Sequence, residues 1–330
     1  MPSRKAKSSS LTFRARQAAA LLIALALIGV PQVFAQQQGE ARIRVDVNLV
    51  LLEATVKDKA GRVMIDLKKE DFLLDEDGAS QQIAHFSRDQ LPLGVALVVD
   101  LSNSIQPFLR PLRYATLTAL KALKPEDEVA LFTFGSDVQQ RVRLTRDKLE
   151  VSDQIEFFQT GGGTNINRAV YDAAQYLREE APAARRVIVL VSDNVPTTQD
   201  RVNHKQVVEA ALEADAAVYS LKVPGYNPLA ARLASKSMHG LVNVGKLTAE
   251  TGGEVFEVEK EGSLFLAFQA LIERLKTRYT IGFYPAHNLQ DGSFRRLNLR
   301  LQPSFGVKGK DYVVLSKTGY YAVKSRQAGR

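Results

Sequence analysis

Residues 95–104, Val-Ala-Leu-Val-Val-Asp-Leu-Ser-Asn-Ser, constrain this chain more than any other stretch. An apolar run from Val95 to Val99 ends in Asp100, and Ser102 and Ser104 follow at alternate positions. The run is too short and too rich in valine for a helix and reads as a buried parallel strand. Parallel strands need crossover connections, so the chain must build an open α/β sheet with helices on its faces. Such sheets bind ligands just beyond the carboxyl ends of their strands. Asp100, Ser102 and Ser104 therefore stand where this fold places sites.

The chain after Leu93 alternates strand and helix patterns, which predicts a doubly wound, mostly parallel, Rossmann-like sheet over 93–277. Helices are expected over Ile105–Leu123, Asp147–Phe157, Asn165–Arg178, Asn203–Asp215, Val244–Glu250 and Ser263–Tyr279. The last of these carries Leu264, Phe268, Leu271 and Leu275 on one face. Strands are expected over Val129–Phe134, Val187–Ser192, Ala217–Val223 and Glu254–Val258. Val138–Leu144 follows its neighbour closely and alternates, so it reads as an antiparallel edge. Residues 225–241 read as a surface insertion.

Two β-rich pieces flank this region. In the first, 36–92, Val45, Val47, Leu49 and Leu51 form the expected inward face of a strand over Ile43–Val56. Short strands around a turn at Asp75–Gly78 follow. The second, 278–323, holds strand patterns at Tyr279–Tyr284, Leu297–Leu301, Tyr312–Leu315 and Tyr320–Val323, ahead of a tail at 324–330. Neither piece alone buries an adequate core. They are expected to pair into one small β-sandwich, with the α/β domain inserted between them.

The formal charge of +8 comes largely from the N-terminus. Residues 1–35 hold five basic residues and no acidic one, which leaves 39 basic and 36 acidic residues beyond them. No sustained basic stripe remains, so nucleic-acid binding has no support. Basic residues, an apolar run from Ala18 to Val30, and Val33-Phe34-Ala35 read as a signal peptide cleaved after Ala35. Pro31 directly after a short apolar run argues against a retained span. The mature protein is expected to be exported, periplasmic or extracellular, with no membrane span. Cysteine is absent, which excludes disulfides, cysteine–zinc sites and thiol nucleophiles.

Asp100 and Asp193 each end an apolar strand, and Thr164 follows three glycines at the opening of a helix. In a doubly wound sheet these loops meet at the switch point. Asp100, Ser102, Ser104, Thr164 and Asp193 form an all-oxygen donor set, suited to a hard divalent cation. Few protein ligands with waters completing an octahedron suit Mg²⁺ best; Mn²⁺ also fits, and Ca²⁺ is a further candidate. Two carboxylates just neutralise a dication, so a vacant position would accept an acidic side chain from a partner protein. Taken singly, Ser102, Ser104 or Thr164 could equally cap a helix, and Asp193-Asn194 could be a plain turn.

The five residues resemble the metal-ion-dependent adhesion site of von Willebrand factor type A domains: Asp-x-Ser-x-Ser, a distant Thr and a later strand-terminal Asp. The resemblance covers Leu93 to about Lys276 and implies direct metal binding by the hydroxyls, with the aspartates often acting through water. Asn194 stands where the family commonly has glycine; asparagine tolerates a left-handed backbone. The flanks resemble an exported bacterial subgroup of the family, through Asp71-Phe72 with Glu76-Asp77-Gly78, Thr251-Gly252-Gly253, Tyr279–Pro285 and Gly319-Tyr320-Tyr321. In domains of that family the last helix can move when the metal site binds a ligand, and the resemblance makes a shift of Ser263–Tyr279 against the sandwich a hypothesis. The expected function is metal-dependent protein binding or adhesion, with no catalysis. Two alternatives stand beside it. One is a structural scaffold with a non-functional metal site. The other is a hydrolase, which would need a base for Ser102 or Ser104 from His204 or His239. No Walker lysine follows the glycines and no Gly-x-Ser-x-Gly is present.

Overall fold

The computed structural model describes residues 49–88, 91–198, 200–225, 240–286, 291–303 and 312–322. The expected leader, residues 36–48 with Val45 and Val47 of the expected first strand, most of the 225–241 insertion and the tail lie outside these residues.

The first β-rich piece forms β1 (Val50–Asp58), β2 (Phe72–Glu76), β3 (Ala79–Gln81) and β4 (Ile83–Ser87). The inward face of β1 is the opposite of the expected one. Leu52, Ala54 and Val56 are buried, while Leu49 and Leu51 are exposed. Leu51-Leu52 breaks the alternation, and the apolar parity switches there.

The α/β region follows as β5 (Leu93–Asp100), α1 (Leu109–Lys121), β6 (Glu128–Phe134), β7 (Val138–Thr145), α2 (Lys148–Glu156), α3 (Ile166–Glu180), β8 (Arg185–Ser192), α4 (His204–Glu213), β9 (Ala216–Lys222), α5 (Val244–Thr251), β10 (Val255–Glu257) and α6 (Leu264–Lys276). The sheet order is β10-β9-β8-β5-β6-β7. All pairings are parallel except β6 with β7, so the antiparallel edge falls where the sequence predicts it. All eight residues of β5 are buried, as expected for a central strand covered on both faces. One face packs on α1, α2 and α6, the other on α3, α4 and α5. Strand order reverses between β5 and β8, and the switch point lies there.

Two helices differ from expectation. The segment after Asp100 opens as a 3₁₀ turn, Asn103–Phe108, with Pro107 inside it; proline lacks the N–H an α-helical turn would use. The last helix ends at Lys276, and Arg278 already turns the chain into the next strand.

The chain closes with β11 (Tyr279–Phe283), β12 (Phe294–Leu301), β13 (Tyr312–Ser316) and β14 (Gly319–Tyr321). Sheets β13-β1-β11-β4 and β14-β12-β2-β3 face each other over a shared core that includes Leu52, Phe72, Leu74, Tyr279, Phe283 and Leu297. Each mixes strands from both ends of the chain, which makes the expected sandwich. Thr280 pairs with Ser87. The chain therefore leaves the sandwich and returns to it on neighbouring strands, the geometry that lets a domain be inserted without strain.

Candidate metal centre

Asp100 ends β5 with no exposed surface. Its Oδ1 accepts a hydrogen bond from Ser102 N at 2.7 Å, and its Oδ2 accepts one from Ser192 Oγ at 2.6 Å. Ser192 has no part in the sequence-predicted site. Only the pairing of β5 with β8, which sets Val99 against Val191, brings it beside Asp100. Ser102 and Ser104 share a hydrogen bond between hydroxyls at 2.9 Å, so the two alternate side chains turn to the same side.

The glycine loop is tied to both neighbouring loops. Gly161 N donates to Leu101 O at 2.7 Å, and Asn165 N donates to Gly135 O at 2.9 Å. Gly162 has φ +79, and a Cβ on Gly163 would overlap Thr198 Oγ1; a side chain is strained at the first and would have to displace Thr198 at the second. Thr164 is buried. Its N donates to Thr197 Oγ1 at 2.9 Å, and its carbonyl accepts from the N–H groups of Thr197 and Thr198. Asn165, next in the chain, caps α3 by accepting from Arg168 N. The capping role open to Thr164 thus falls to its neighbour.

Asp193 follows β8 and is buried. Its Oδ1 accepts from Val195 N at 3.0 Å, and Gly225 packs so closely that a Cβ there would come 3.0 Å from Oδ2. Asn194 takes φ +61, the left-handed conformation expected of it, and its side chain accepts from Ser220 Oγ.

The loops carrying the five residues are thus hydrogen-bonded to one another across the switch point. Burial pushes the Asp100 carboxyl up to about 6, against the hydrogen bonds from Ser192 and Ser102, and the Asp193 charge adds to the rise. Among the described residues no three His, Cys, Asp or Glu side chains gather as a metal-binding group. The donors on offer are two carboxylates and three hydroxyls, an oxygen set compatible with a hard cation and not with zinc. His204 lies instead in a cleft with Asp75, Lys246 and Tyr321, where the sandwich meets the helices, and His239 lies outside the described residues.

A switch-point cluster on a six-stranded sheet with one antiparallel edge defines the class: a von Willebrand factor type A fold. The family model of the von Willebrand factor type A domain matches residues 95–195. The matched stretch is 101 of the chain's 330 residues. Inter-alpha-trypsin inhibitor heavy chain H2 of Sus scrofa is 30% identical over 151 residues, 41% of this chain. Its counterpart in Mus musculus is 26% identical over 179 residues, 49% of this chain. The chain spans only 16% and 19% of the length of these relatives. Among solved structures, a von Willebrand factor type A protein from Catenulispora acidiphila aligns over 86% of this chain and 76% of its own, at 10% identity and TM-score 0.46. BatB from Bacteroides thetaiotaomicron aligns over 56% and 97%, at 19% identity and TM-score 0.41. Domains of this type are commonly protein-interaction or adhesion modules. No helix among the described residues is long and apolar enough to cross a membrane.

Proposed function

We propose that Asp100, Ser102, Ser104, Thr164 and Asp193 form a metal-ion-dependent adhesion site, and that the protein binds a partner protein through Mg²⁺ held there. The observation that carries this reading is a carboxylate with no exposed surface, beside a second buried carboxylate, at the meeting point of loops that also bring three hydroxyls. Two buried carboxylates repel, and a dication answers both charges. The hydroxyls of Ser102, Ser104 and Thr164 would hold the ion, and Asp100 and Asp193 would bind it through water. Hydroxyls neutralise no charge, so the bound ion would remain electrophilic toward an Asp or Glu of the partner. Asp100 is oriented for this role by Ser192, and Thr164 by Thr197.

The reading is non-catalytic. Ser102 and Ser104 hydrogen-bond each other, and His204 serves a different cleft. The leader-like N-terminus supports export, to the periplasm or outside the cell. The test is a pull-down from a cell-envelope extract, with Mg²⁺ and with chelator, using the wild type and Asp100→Ala. A partner retained only by wild type in Mg²⁺ supports the proposal. Equal capture in all four arms contradicts it and favours a scaffold.

A further inference from the structure

Two covalent links join the α/β region to the sandwich. Residues 88–92 lead in from β4, and only Thr277 and Arg278 separate α6 from β11. Joined domains move relative to each other by default unless a large apolar interface holds them. Here the second link is anchored at once. Tyr279, the first residue of β11, is 2% exposed. Its hydroxyl donates to Met64 O at 2.9 Å and accepts from Leu67 N at 3.0 Å, and its ring packs on Phe72 and Phe86.

The end of the sheet opposite the metal cluster meets the sandwich through ion pairs. Glu53 of β1 faces Arg185, at the start of β8, and Arg278, ahead of β11, each 3.2 Å from its Oε2. Glu254, ahead of β10, faces Arg274 of α6 at 3.1 Å and pairs with Lys57 of β1. The side chains of Arg278, Arg185 and Arg274 are only 3%, 8% and 9% exposed. Arg185 also donates to Leu275 O, near the end of α6, and Arg278 to Gly252 O, at the end of α5. Between β13 and β14, Lys317 pairs with Asp215 at 2.6 Å, and Thr318 N donates to Glu250 O at 2.9 Å. The sandwich is thus tied to the near ends of β8, β10, α5 and α6 and to the turn ahead of β9.

Ties of this kind resist small displacements in particular. A slight shift separates the charges before water can enter between them, and a buried charge parted from its partner is strongly unfavourable. Apolar contact is non-directional and lets surfaces slide.

We propose that this junction is a lock and not a hinge. The carboxylates of Glu53 and Glu254 fasten the sheet and α6 to the sandwich, so the two parts move as one body and the last helix does not shift against the sandwich. A protein docked at the far end of the sheet would then be held at one orientation to the sandwich. That consequence rests on the docking reading above; the lock itself does not.

Double electron–electron resonance on the full chain tests it. The chain has no cysteine, so spin labels attach only where one is introduced. Ser80 of β3, Glu179 of α3 and Gln269 of α6 are exposed. Ser80→Cys with Glu179→Cys reports the two parts, and Ser80→Cys with Gln269→Cys reports the helix. In chelator each pair is expected to give one narrow distance distribution, unchanged by millimolar Mg²⁺. Glu53→Gln and Glu254→Gln each remove a charge at nearly constant shape and are expected to broaden both distributions about twofold, toward ordinary domain motion. Circular dichroism checks that the variants fold. Where they do not, Lys57→Gln, which loosens the Glu254 tie and leaves Arg274 paired, takes their place with the same expectation. A broad or two-peaked wild-type distribution in chelator overturns the lock, as does a shift of the helix pair on adding Mg²⁺. Folded variants as narrow as the wild type overturn the role of the carboxylates. The arms in chelator do not involve the metal cluster, so they decide the matter even if no metal binds there.

Discussion

Asp100 titrates near 3.8 in an unfolded chain and is pushed up to about 6 in the fold, by desolvation first. Between those values the unfolded chain holds fewer protons than the folded one, so without metal stability falls as pH rises from about 4 to 6. The loss is about 3 kcal/mol. Asp100→Asn should therefore flatten this slope, stabilise the metal-free protein at neutral pH by about 2 kcal/mol, and lose the stabilisation by Mg²⁺ that the proposed site would give wild type. Urea unfolding in chelator across this pH range, then with Mg²⁺, measures all three. At Asn194, with φ +61, replacement by alanine should cost about 1 kcal/mol while glycine costs less, read by the same unfolding assay. The left-handed asparagine was legible from its residue type and place after a strand. Ser192 was not: a serine closing an apolar strand reads as a strand end, and its bond to Asp100 exists only once β5 and β8 are in register.

At the scale of elements, hydrophobic runs located the strands of the central sheet because both of its faces are covered. Half-covered strands were harder. The outward face of β1 carries Glu53, Thr55 and Lys57 toward the α/β region, so neither parity of that strand is simply solvent-facing. The Thr251-Gly252-Gly253 turn is an element boundary with strict geometry. Gly252 ends α5 at φ +81, and a Cβ on Gly253 would overlap the Val218 carbonyl. Thr251 Oγ1 accepts from Val218 N and so ties the turn to β9. Gly253→Ala must push β9 from α5, and a loss of about 3 kcal/mol is expected in equilibrium unfolding. The two glycines were legible as a helix stop; the close approach to β9 was not, since it depends on a strand more than thirty residues earlier.

Over the whole molecule, two incomplete β pieces make one core, and the inserted domain leaves and rejoins it at Ser87 and Thr280. That much follows from counting apolar strands at each end. The charges that join the two parts were not legible, because Glu53, Arg185, Glu254 and Arg278 are ordinary residues in their local segments and meet only through the topology. Removing one carboxylate leaves its cations unanswered, so Glu53→Ala is expected to destabilise the protein by about 3 kcal/mol in denaturant titration. The central proposal also belongs to this scale: the loops after β5 and β8 and the loop opening α3 would gather five oxygen-bearing side chains around one hard cation. Crystals of the wild type soaked in millimolar Mn²⁺ test it by anomalous scattering. The account predicts a single peak in contact with the hydroxyls of Ser102, Ser104 and Thr164, absent in Asp100→Ala. A peak elsewhere, or none at the switch point, would contradict it.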